Sequence, residues 1–136
     1  MSLEAITRKI ARIREYAAVL TSLQADCVAR MKRDKIYRGA VLYHLYMMAD
    51  SCVAPAEMVI KLKGLRRPQS YADAIDIPGE GGILPEDFAY DFARVAGLRN
   101  FLAHDYEKID YAGVCQAMAQ KLDDVNRYLG YIESSL

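Results

Sequence analysis

The chain has 136 residues, 53% of them apolar, with four prolines and eighteen basic side chains matched by eighteen acidic ones. That length suits one domain, 1–136, burying roughly two-thirds of its unfolded surface, and the composition excludes a disordered chain. Zero net charge excludes a protein that grips long nucleic acid mainly by releasing counterions, while leaving room for a small local phosphate site.

Residues 3–33 place Ile6, Ile10, Ile13, Ala17, Leu20, Cys27 and Met31 on one stripe, with Gln24 in the remaining slot. Steps of four and three predict a single long helix. A second helix is predicted from about Asp34 to Lys63 on Val41, Leu45, Met48, Cys52, Ala56 and Val59. Pro55 inside it removes a hydrogen bond, so a kink is expected there, with the helix otherwise continuous. Residues 64–85 are broken by glycines and prolines; Ser70 to Asp73 reads as the cap of one short helix, and "PGEGG" reads as a plain turn. Pro85-Glu86-Asp87 has the proline-then-acid signature of a helix start, and that helix is expected to reach about His104. The last helix runs from about Tyr111 to Ser134 on Val114, Met118, Leu122, Val125, Leu129 and Ile132. No stretch alternates with period two long enough to be a strand, so the fold class is all-α, an antiparallel four- to five-helix bundle.

Cys27, Cys52 and Cys115 are odd in number, far apart and in no CxxC spacing. They read as buried free thiols in a reducing compartment, ahead of a disulfide or a zinc site. With no apolar run of about 18 residues and no signal peptide before the first helix, no membrane association and a cytoplasmic location are expected. His44 and His104 stand sixty positions apart without an HxxxH or ExxH pair, which argues against a metal centre and leaves no cofactor to assign.

The stretch "GLRNFLAHDYEKIDY" gathers Arg99, Asn100, His104 and Tyr106. On a wheel at about 100° per residue with Phe88 at zero, Arg99 falls near 20°, in the middle of the apolar face marked by Phe92, Val95 and Leu102. A guanidinium stays charged there, so Arg99 must meet an acid, an interface or a ligand anion. Asn100 and His104 are i and i+4 on a neighbouring face, where the amide can orient the imidazole. Because Arg99 and His104 diverge by about 140° on an ideal helix, either the helix ends or distorts at His104 or two copies complete one site between them. From residue types alone, an ion-paired arginine and a histidine without a task remain open alternatives.

Arg99, four residues, His104, one residue and Tyr106, with Asn100 directly after the arginine, resembles the signature of the HEPN superfamily of small helical ribonucleases. The words "SYADAIDI", "GILPEDFA", "ARVAGLRNFLAHDYEKID" and "LDDVNRYL" extend the likeness to the DUF86 or HepT-like branch, the toxin half of HEPN/MNT toxin–antitoxin pairs. The resemblance implies a metal-independent endoribonuclease toxin of a type VII-like pair, working as a homodimer with two motif copies lining a cleft. It also implies an MNT-type nucleotidyltransferase antitoxin that transfers AMP to Tyr106. In that scheme Arg99 and His104 are catalytic, Asn100 is supporting, and RNA is the substrate. The dimer is expected along the third and fourth main helices, 85–104 and 111–134. The chemistry is consistent: RNA cleavage without a metal needs a base, an acid and a cation, and histidine with an ordinary pKa of about 6.5 serves in either protonation state. The alternative function is a non-catalytic helical partner, or a nucleotide-binding subunit, of a minimal nucleotidyltransferase.

Overall fold

A computed structural model describes residues 3–104 and 109–136 and contains, among them, eight helices and no strand. These are α1 (Leu3–Ser22), α2 (Cys27–Arg33), α3 (Lys35–Ser51), α4 (Val53–Leu62), α5 (Tyr71–Glu80), α6 (Glu86–Phe92), α7 (Val95–His104) and α8 (Tyr111–Ser134). The all-α class is as the periodicity indicates. Three of the predicted helices, however, are each divided in two.

The first division falls at Leu23–Asp26, where Asp26 takes a left-handed φ of 58° and its carbonyl accepts from Arg30 to open α2. Gln24, the weak slot in the stripe, is exposed. The Tyr37 hydroxyl donates to the Leu23 carbonyl, so the end of α1 meets the start of α3 and the two pack antiparallel. Asp34 caps α3 by accepting from the Ile36 and Tyr37 amides at 3.0 and 3.1 Å.

The second division lies at Cys52, three residues before Pro55, in place of a kink within one helix. A proline has no N–H to give to the carbonyl four residues back, here that of Ser51, and its ring crowds that carbonyl. The chain therefore restarts, putting buried Pro55 in the first turn of α4, where its missing N–H costs nothing. Cys52 keeps a right-handed helical conformation, so α4 continues the direction of α3.

α5 begins where the cap predicts, with Ser70 Oγ accepting from the Asp73 amide at 3.0 Å. It extends further than a short helix, through Pro78 and Gly79, so only the second half of "PGEGG" is turn. Gly79 has a packing reason: a Cβ there would stand 2.6 Å from the Ala89 Cβ, so α5 and α6 approach through it. The third division, at Ala93–Arg94, uses i→i−3 bonds such as Ala96 N–H to the Ala93 carbonyl at 3.2 Å.

The core draws on all eight helices and includes Ile6, Ile10, Ile13, Leu20, Met31, Leu45, Met48, Ile75, Phe92, Leu102, Val125 and Leu129. Tyr128, fully buried, stacks on Phe92 at 4.6 Å and donates to the Cys52 carbonyl at 2.7 Å, tying α8 to the α3–α4 junction. Arg14 and Glu133 add a bidentate pair between α1 and the end of α8.

The cysteine expectation is corrected. Cys27 and Cys115 form a disulfide that joins α2 to α8, with Cα atoms 6.0 Å apart, and only Cys52 is free and buried. Packing of α2 on α8 brings together two residues 88 positions apart, a proximity that no local spacing records. No helix among the described residues is long and apolar enough to cross a membrane.

Candidate functional site

Val95, Ala96 and Leu102 of α7 are buried, fixing the helix against α3 and α5. That anchoring decides where its polar residues stand. Phe88, Phe92, Val95 and Leu102 are buried on both sides of the break at Ala93–Arg94, so the apolar face stays in phase across it. Arg99, on that face, is half-buried, its side chain 28% exposed.

Arg99 meets an acid, one of the outcomes its position required. Its Nη1 lies 2.9 Å from Asp50 Oδ1, and Asp50 is the only acidic residue of α3. Its Nε donates to Asn100 Oδ1 at 2.8 Å. The amide thus holds the guanidinium, whereas the sequence suggested that it orients the imidazole. Tyr71, the first residue of α5, places its ring 5.1 Å from the Arg99 Cζ. Its hydroxyl donates to the Ala49 carbonyl, one residue before Asp50. Burial pushes the Tyr71 hydroxyl well above the usual phenol range, so it stays neutral.

A guanidinium has five N–H donors. Asp50 and Asn100 use two of them, and among the described residues Nη2 has no partner. An arginine restrained on three sides with a donor edge left over is prepared to bind an oxyanion.

His104 is exposed at the last position of α7. It lies five positions after Arg99, about 7.5 Å along the axis and about 140° around it. Within α7, whose described length ends at His104, the two groups point to different sides of the axis. Tyr106 lies outside the described residues. The other histidine, His44, donates from its Nδ1 to the Ala40 carbonyl at 2.7 Å and stands edge-on to Tyr16 and Tyr43.

Among the described residues no group of three His, Cys, Asp or Glu side chains is arranged to hold a metal ion. A cleft of about 520 Å³ between α6 and α8 carries Arg94, Lys121 and Arg127 together with Asp87, Asp91 and Asp124, and these balanced charges offer an anion no net attraction.

Asp50 and Tyr71 are the parts of this site that sequence reasoning missed. One signal was available for the first: Arg99 needed an acid, and α3 holds only one. For Tyr71 the chain offers no local signal, because its position relative to Arg99 follows from the packing of α5 on α7.

The family model for ribonuclease HepT-like proteins matches residues 6–132. The mRNA nuclease HepT of Shewanella oneidensis is 22% identical over 129 residues, covering 95% of this chain and 96% of that protein. A solved structure of a tri-AMPylated Shewanella oneidensis HEPN toxin in complex with an MNT antitoxin superposes with a TM-score of 0.86 at 22% identity, over 98% of this chain and 99% of that one. A cytosolic protein of unknown function from Bacillus subtilis, YutE, shares the fold with a TM-score of 0.82 at 17% identity, over 98% and 89% of the two chains.

Proposed function

The chain belongs to the ribonuclease HepT-like family, and from that premise we propose that it is an endoribonuclease toxin that cleaves RNA without a metal ion, within the single domain 1–136. The observation that carries the reading is the Arg99 fork, held by Asp50 and Asn100 with its Nη2 edge unpartnered among the described residues. The N–H donors that remain can bond to the non-bridging oxygens of a phosphodiester.

In the proposed reaction the ribose 2′-oxygen attacks phosphorus while one His104 takes its proton. The bond from phosphorus to the 5′-oxygen breaks, and a second, protonated His104 gives that oxygen a proton. The products are a 2′,3′-cyclic phosphate and a 5′-hydroxyl. Arg99 stabilises the charge on the phosphorane. Two histidines require two copies of the chain, and a twofold dimer also answers the divergence of Arg99 and His104 on one helix.

Exposed residues on α3 support a dimer. Ile36 and Tyr43, 86% and 54% exposed, share one helix face with Asp50 at seven-residue steps. We therefore assign the interface to α3 and α7, in place of the last helix suggested by the sequence.

The partner in this scheme is an MNT-type nucleotidyltransferase antitoxin, as in the complex of the Shewanella toxin. AMP on Tyr106 would bring an anion to the Arg99 fork and exclude the RNA phosphate. The deciding experiment is cleavage of RNA by the purified protein in EDTA, with the product ends analysed. Cleavage that leaves cyclic phosphate and vanishes in His104→Ala supports the reading. Activity unchanged in that variant refutes it, and inactivity of the wild-type protein favours a non-catalytic partner of the nucleotidyltransferase.

A further inference from the structure

The guanidinium of Arg99 is held in its plane by two hydrogen bonds, but its tilt is set by something else. Asp50 Oδ1 accepts from Nη1 at 2.9 Å and Asn100 Oδ1 accepts from Nε at 2.8 Å, and the N–H bonds of a guanidinium lie in its plane. Rotation about the axis through those contacts would swing the Nη2 edge away from a substrate. The third contact is the ring of Tyr71, over which the Arg99 Cζ lies 5.1 Å from the centroid. That ring is fixed at both ends. Its backbone lies at the start of α5, capped by Ser70, and its hydroxyl is bonded to the Ala49 carbonyl in the last turn of α3. One short segment, Ala49-Asp50, therefore holds the tyrosine and the arginine together.

We propose that Tyr71 is a positioning residue, an aromatic platform that holds the Arg99 fork in the one orientation from which its free edge meets a phosphodiester. The inference rests on the ribonuclease reading for its consequence in catalysis, while the platform itself is a property of the folded chain. The attraction of a guanidinium to a ring face depends on the π-system, not on the hydroxyl. Removal of the hydroxyl and removal of the ring should thus have different effects.

Two variants separate them. Tyr71→Phe keeps the ring and loses the bond to Ala49, so it lowers thermal stability while cleavage stays within about threefold of wild type. Tyr71→Leu keeps an apolar side chain and loses the ring. It should lose about tenfold or more in kcat with little change in KM, because a tilted fork fails chiefly at the charged phosphorane. A purely structural role would make activity follow stability in both variants. The second readout is independent of RNA: the Arg99 Nε–H signal in the NMR spectrum, assigned by its absence in Arg99→Lys. It should remain sharp in Tyr71→Phe and broaden in Tyr71→Leu. A sharp signal in Tyr71→Leu, or equal losses of kcat in both variants, overturns the proposal. If the wild-type protein cleaves no RNA, the ribonuclease reading fails, and the NMR comparison alone decides the platform.

Discussion

Reducing the Cys27–Cys115 disulfide tests the packing of α2 on α8 most directly. The two residues are separated by 88 positions, so the crosslink removes a large loop-closure entropy from the unfolded chain. At that separation the chain-entropy relation gives about 4.5 kcal/mol at 25 °C, and measured crosslinks commonly deliver about half of such a value or more. With an m-value of about 1.5 kcal/mol per M, the urea midpoint should fall by roughly 1.5–3 M on reduction. The assay is equilibrium unfolding followed by circular dichroism, on protein purified without reductant and on the same protein in excess dithiothreitol. Cys115→Ser should behave like the reduced protein and be indifferent to dithiothreitol. Titration of thiols in denaturant without reductant should count one, Cys52. Three titratable thiols, or midpoints that coincide with and without reductant, would refute the pairing.

Gly79→Ala should destabilise by about 1–3 kcal/mol, because the new methyl meets the Ala89 Cβ at 2.6 Å; Ala89→Gly in the same chain should recover part of that loss in thermal melts. Tyr128→Phe, which leaves the Cys52 carbonyl without its 2.7 Å donor, should cost about 1 kcal/mol by urea unfolding with the Phe92 stack intact. The Gln69 amide, then Arg66, holds the Asp73 carboxyl below the usual carboxylate range, and Arg66 does the same for Glu80. Depressed carboxylates stabilise the fold above their unfolded pKa, about 4, and that contribution disappears as pH falls through the folded values. In Arg66→Gln, a carboxyl NMR titration should find Glu80 returned to the ordinary range and Asp73 still partly depressed by the Gln69 amide; equal recovery of both would contradict the order of causes. Arg99→Lys should reduce RNA cleavage by at least tenfold, since lysine keeps the charge but loses the fork that Asp50 and Asn100 orient; full activity would exclude a bidentate clamp.

The sequence alone determined the helical class and the faces of the helices. Ile6 to Leu20 and Val114 to Ile132 are stripes whose period is a property of the backbone, and both are buried as the period requires. Ser70 and Pro85 marked helix starts because capping is a local interaction. The place of Arg99 on the apolar face also dictated that it meet an acid, an interface or a ligand anion. Tertiary structure decided the rest. A stripe continues in phase across a short turn, so periodicity could not register the breaks at Asp26 and at Ala93–Arg94. It did not specify which acid would answer Arg99, which ring would lie beneath it, or that Cys27 would reach Cys115. Those pairings join residues between 28 and 88 positions apart, and only the packing of α2, α3, α5, α7 and α8 on one core brings them within contact.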